Sequence, residues 1–110
     1  MDNIAWSLVL SDVTVASIKV DGELLVLVNE EAESFAKFVI PLAMNSQRLY
    51  CSVCGAPVSE DNLGQLTLHE EGFLTAKCAY CLDQEIIRTI RRLKSYVEIS
   101  PIPKAEVENS

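Results

Sequence analysis

The apolar and polar positions fall into runs with different periods. Ile4–Leu10 ("IAWSLVL"), Val13–Val20 ("VTVASIKV") and Glu23–Val28 ("ELLVLV") are rich in β-branched and aliphatic residues. They are split by Ser11-Asp12 and Asp21-Gly22, which read as turns, so the pattern predicts three strands of an antiparallel meander. Asp-Gly between β-branched runs favours a two-residue type I′ hairpin. That turn pairs Val20 with Glu23, Ile18 with Leu25 and Ala16 with Leu27. Alternation fails in the third run: Leu24, Val26 and Val28 face one way, Leu25 and Leu27 the other. Apolar residues on both faces suit a central strand covered on both sides. The competing reading is an exposed edge or face used in a dimer.

The period then changes to a helical one. Residues 30–40 ("EEAESFAKFVI") place Ala32, Phe35, Phe38 and Val39 at helical spacing. Asn29 is the expected N-cap, and Glu30, Glu31 and Glu33 suit the positive end of the helix dipole. Pro41 should end or kink the helix, while "FVIPLAM" also has strand character. Residues 83–97 ("DQEIIRTIRRLKSYV") give a second helix, capped by Asp83. Ile86, Ile90, Leu93 and Val97 form one narrow stripe, and Arg88, Arg91, Arg92 and Ser95 lie opposite. The stripe is expected to cover the meander. Residues 98–110, with two prolines, read as a loose tail.

Between these helices stand all four cysteines, as two C-x-x-C pairs: Cys51/Cys54 and Cys78/Cys81. Two cysteines two apart on a tight turn present both sulfurs to one ion, and a second such pair completes a tetrahedron. Gly55 can take the left-handed conformation and let backbone amides approach the sulfurs. The intervening residues read as a loop ("APVSEDNLG"), a strand ("QLTLH"), a turn at 70–72 and a return strand ("FLTAKC"). A hairpin thus carries the chain from one pair to the other. The alternatives to a metal site are free thiols or two disulfides.

With that spacing and hairpin, residues 51–81 resemble a zinc ribbon, a four-cysteine β-ribbon superfamily. They depart from it at Leu82, where a Gly often follows the last cysteine. The resemblance implies one structural Zn²⁺ held by Cys51, Cys54, Cys78 and Cys81. Zinc is also favoured by the thiolate set, although rubredoxin-like iron sites use a similar pair of cysteine turns. Four protein ligands close the shell to water and substrate, and the metal would supply on the order of 10 kcal/mol of folding free energy.

Bulk composition narrows the function further. The chain has 110 residues, enough for one domain, with 49% hydrophobic residues, so it is not a disordered chain. Sixteen acids against nine Lys and Arg give a net charge of −7. That argues against broad coating of DNA, which needs clustered cations. The one basic island is residues 83–97, with two acids and four bases. Arg88, Arg91, Arg92 and Lys94, with Tyr80, are the candidate contact residues for a protein partner or nucleic acid. His69 lies nine residues before Cys78, about 30 Å of extended strand, which removes it as a ligand. With His69 the sole histidine and every Cys engaged, a nucleophile–base pair is poorly supplied and no enzyme is expected. The scattered glycines form no phosphate loop.

The chain shows no signal peptide and no run near the ~18 apolar residues of a membrane span. A cytoplasmic, intracellular setting is expected, where paired cysteines more often bind metal than form disulfides. The fold class expected is α+β: meander and helix (1–48), ribbon (49–82), amphipathic helix (83–97) and tail (98–110), packed as one unit. The function expected is a non-catalytic, zinc-stabilised binding or adaptor protein, an accessory subunit of a larger assembly, with nucleic-acid processing as the setting such ribbons suggest. A homodimer is a further option. Rubredoxin-like electron transfer and direct nucleic-acid binding are the competing readings.

Overall fold

The computed structural model describes residues 4–99; most of the expected tail lies outside them. The fold is α+β. Three strands come first: β1 (Ile4–Leu10), β2 (Thr14–Val20) and β3 (Glu23–Val28), followed by helix α1 (Asn29–Ser46). A short ladder of β4 (Leu49–Tyr50) and β5 (Pro57–Val58) precedes the hairpin β6 (Leu63–Leu68) and β7 (Leu74–Cys78), and α2 (Ala79–Ile99) closes the described chain.

β6 pairs with β1, so the meander and the cysteine hairpin form one five-stranded antiparallel sheet in the order β3-β2-β1-β6-β7. The β2–β3 register is the expected one, Val20 with Glu23, Ile18 with Leu25 and Ala16 with Leu27. Asp21 (φ 51°) and Gly22 (φ 88°) both take the left-handed conformation that a type I′ turn requires. In this order β3 is an edge strand, not a central one.

One face of the sheet carries the core. Cross-strand registers put Leu27, Ala16, Leu8, Leu66 and Ala76 in one row, and Leu8 and Leu66 are fully buried. α1 covers that row with Ala32, Ala36, Val39 and Ala43. Small residues at helical spacing let the helix lie close to the sheet. Phe35 flanks this stripe and meets Trp6 edge-on, ring centres 5.4 Å apart at 87°, whereas Phe38 points outward. The opposite face is polar at its centre, where Ser7, Gln65 and Thr67 share hydrogen bonds.

Three local expectations are corrected. Asn29 does not cap α1; it sits at φ 53°, a conformation Asn tolerates, and Val28 occupies the cap position without a side-chain bond. Pro41 does not end α1, which runs on to Ser46. Pro41 lies on the exposed side, where water can satisfy the carbonyl its ring leaves unbonded. α2 begins at Ala79 rather than Asp83, so Cys81 stands in its first turn.

Candidate metal centre

The first cysteine pair lies between β4 and β5. Cys51 N–H donates to Ala56 C=O (2.8 Å) and Gly55 N–H to Cys51 C=O (2.9 Å), closing a tight knuckle. Gly55, at φ 79°, supplies the left-handed step this closure needs. Val53 N–H points at Cys51 Sγ (3.4 Å). The knuckle docks on β7: Ser52 N–H donates to Ala76 C=O at 2.8 Å, and Cys51 bridges Ala76 in parallel.

The second pair is built differently from the first. Cys78 ends β7 and Cys81 lies one helical turn later, with Cys81 N–H toward Cys78 Sγ at 3.5 Å. Leu82, where a β-turn would favour Gly, is instead a helix residue with 5% exposure that anchors α2 to the body. The strand-to-helix junction crosses β6 at Gly64, where a Cβ would meet Ala79 Cα at 2.8 Å and Cys78 O at 2.9 Å. Asn62 holds the same junction: its carbonyl accepts from Ala79 N–H at 2.7 Å. Its side chain accepts from Ser59 N–H (2.6 Å) and donates to Pro57 C=O (3.0 Å). Neither Gly64 nor Asn62 stands out in the sequence, where both read as loop; β6 begins at Leu63, which makes Gly64 a strand residue with the close backbone approach such a Gly permits.

The four Sγ atoms all lie within 4.8 Å of one another, and Cys54 and Cys78 are 3.9 Å apart. A tetrahedron with metal–sulfur bonds of about 2.3 Å has sulfur–sulfur edges of about 3.8 Å. The donor set therefore fits one four-coordinate metal ion. No pair is bonded as a disulfide. Cys51, Cys78 and Cys81 are buried and Cys54 is exposed, so the group sits at the surface end of the sheet.

The thiols are not equivalent. Burial pushes the Cys51 thiol up, but backbone bonds from Cys54, Cys78 and Val53 and a bond from the Cys54 side chain outweigh it, and its pKa falls to about 6. Cys81 is pushed up to about 12, first by its bond with the Cys78 thiol and then by burial. Such a cluster shares protons that a metal ion would displace.

No protein-family model, curated protein or solved structure matches this chain.

The remaining candidate residues lie on or beside α2. Tyr80 is 71% exposed in the first turn. With Val53, Cys81, Gln84 and Arg88 it lines a shallow cleft beside the cysteines. Arg88, Arg91, Arg92 and Lys94 are all exposed. At 100° per residue, Cys81, Gln84, Arg88, Arg91, Arg92 and Ser95 share one face, so the cationic ridge starts at the cysteine cluster. His69 is outside the thiol group; its ring stacks on Phe73 (4.3 Å, 15°) and its Nε2 lies 2.8 Å from Thr75 Oγ1.

The apolar stripe of α2 does not cover the meander. Ile86, Ile90, Leu93 and Val97 are 37%, 47%, 57% and 42% exposed. Among the described side chains beyond Leu82, only Glu85 is partly buried, tied to Lys77 by a 2.6 Å ion pair. α2 touches β6 and β7 with its first turns and then leaves the body. Among the described residues, no helix is long and apolar enough to cross a membrane.

Proposed function

We propose that this chain is a non-catalytic binding module in which one zinc ion, held by Cys51, Cys54, Cys78 and Cys81, fixes the root of a helix offered to a protein partner. The observation that carries this reading is the state of α2: every residue from Ile86 to Glu98 is exposed, yet the helix has an apolar stripe and a separate cationic ridge. The exposed stretch from Ile86 to Glu98 is short enough to be marginal as a helix alone in water, so it gains from a firm nucleus at one end and a partner along its face. The metal would give the nucleus, because Cys81 is both ligand and first-turn residue. Four thiolates around one ion leave no open position for water or substrate, which supports a structural role. Zinc suits a closed set of four thiolates.

The test has two parts. Metal analysis of natively purified protein should find one zinc per chain and no visible iron–thiolate absorption; iron would support electron transfer instead. Native co-purification should recover a stoichiometric partner with the wild-type chain and lose it with Ile90→Glu/Leu93→Glu, at unchanged metal content. A partner retained by that variant would refute the use of α2.

The ridge of Arg88, Arg91 and Arg92 favours one competing reading, direct contact with nucleic acid. Retention on DNA or RNA at low salt, weakened by Arg88→Glu/Arg92→Glu with a flatter salt dependence, would establish it. No retention at low salt would end it.

A further inference from the structure

The two edges of the sheet are treated differently. The β7 edge is covered at Ala76 by the cysteine knuckle. The β3 edge has no neighbour among the described residues. Natural edge strands are usually blunted by Lys, Pro, a bulge or an inward-pointing charge. Leu24–Val28 has none of these.

The backbone of this edge can be read from its turn. Val20 and Glu23 flank a two-residue hairpin and so form a hydrogen-bonded pair. Bonding alternates along an antiparallel ladder, so Glu23, Leu25 and Leu27 direct N–H and C=O to β2. Leu24, Val26 and Val28 direct theirs outward. The side chains of these same three residues stand on the open face, with 68%, 51% and 48% exposure, and Leu25 is 57% exposed on the α1 face.

We propose that β3 pairs antiparallel with β3 of a second copy about a twofold axis through Val26, giving one ten-stranded sheet. An axis normal to the sheet keeps each face on itself, so opposed positions differ by an even number. The register that engages all three outward residues places Leu24 opposite Val28, and Val26 opposite itself. Leu25 then meets Leu27 on the α1 face. A slip toward the turn would set the Glu23 carboxylate opposite Leu27, and a slip the other way would leave Leu24 without a strand partner, because the chain beyond Val28 is already in α1; both are unfavourable. The occupant is thus specified by the strand's own sequence: it is self-complementary in backbone and in side-chain polarity.

The seam is small, so the dimer is a weak, reversible one. Four half-exposed Leu and Val side chains offer on the order of 100 Å² each and are covered only in part, so two copies bury less than roughly 800 Å² of side chain, below the ~1,000 Å² of a stable interface, and the backbone ladder supplies the rest. The seam lies at the opposite edge from the cysteines and does not depend on the role proposed for α2.

Sedimentation of the full, Zn²⁺-loaded chain over a concentration series tests this directly. The wild type should show a monomer–dimer equilibrium. Val26→Lys places two ammonium groups at the axis, and Val26→Pro deletes an outward N–H without touching the ladder to β2. Each should raise the dimer dissociation constant at least tenfold, with circular dichroism and metal content unchanged. Mild oxidation of Val26→Cys should link two chains, because that position faces itself across the axis, whereas Leu25→Cys, facing Leu27, should not. A monomer at every concentration would overturn the proposal and leave the edge to a strand of another protein. A dimer that survives both Val26 variants but is lost in Ile90→Glu would overturn it in favour of α2.

Discussion

Gly64 lies directly beneath Ala79: a Cβ on the strand residue would come within 2.8 Å of the helix residue's Cα. The first residue of α2 therefore rests on bare backbone of β6, between Cys78 and Cys81. The close approach is backbone against backbone, so no flexible side chain can yield.

The Gly64→Ala variant should accordingly move the Cys78–Ala79 junction and spoil two metal ligands at once. Overpacking of this kind costs about 1–3 kcal/mol. The expected outcome is a lower melting temperature together with faster metal loss to a competing chelator. Gly72→Ala is the control: it has open space around it and φ 95°, so it should cost backbone strain of about 1–2 kcal/mol while leaving metal retention unchanged.

Removing the metal should not melt the molecule uniformly. The knuckle between β4 and β5 and the root of α2 are joined to the sheet by the cysteines, by the Ala76 and Asn62 bonds and by the buried side chains of Leu49, Val58 and Leu82. They share one core with the rest of the chain, but its Leu8 and Ala16 part lies on β1 and β2, under α1 and away from the β7 edge where the knuckle docks. With chelator, or in Cys51→Ser or Cys81→Ser, hydrogen exchange should rise first across residues 49–58 and 79–98. Protection of β1, β2 and α1 should persist longer. Equal loss of protection everywhere would show that the ion holds the whole fold.

The Lys77–Glu85 ion pair gives a prediction in pH. The hydrogen bond from Lys77, and then its charge, hold the Glu85 carboxyl below the usual carboxylate range. A depressed carboxylate stabilises the folded state above its unfolded pKa and loses that contribution as pH falls through the folded value. Both side chains are partly solvated, so the effect is small. Wild-type stability should decline slightly more steeply than that of Glu85→Gln as pH drops below the ordinary carboxylate pKa, in denaturant titrations of both chains with metal content checked at each pH, because protonation of the thiols releases metal from both alike.

Much of this architecture was legible in the residues, for local reasons. Asp21-Gly22 fixed a turn and therefore a register, and paired cysteines at short spacing announced a metal-binding group. What was not legible was non-local. Nothing in "ELLVLV" says whether a sixth strand lies beyond it, so apolar residues on both faces suggested a central strand where an edge exists. Asp83 resembles a helix cap, but the helix starts four residues earlier because Ala79 N–H is already satisfied by Asn62 and Cys81 occupies its first turn. The stripe on α2 is apolar as its period requires but lies outside the core, since periodicity reports that a face is apolar and not what covers it.

That last distinction can be measured along α2. Leu82, with 5% exposure, packs into the body, while Leu93, one heptad and four residues further, is 57% exposed. Leu82→Ala removes a buried side chain and should cost about 2–5 kcal/mol. Leu93→Ala removes one already in water and should fall within about 0.5 kcal/mol of wild type. Ile90→Ala should behave like Leu93→Ala. The contrast belongs to dilute, metal-loaded protein in denaturant titrations, where neither a second copy nor a partner can mask it. If Leu93→Ala proved as costly as Leu82→Ala, α2 would have to fold back on its own sheet. The helix would then be part of the core, and the binding role assigned to its stripe would fail with it.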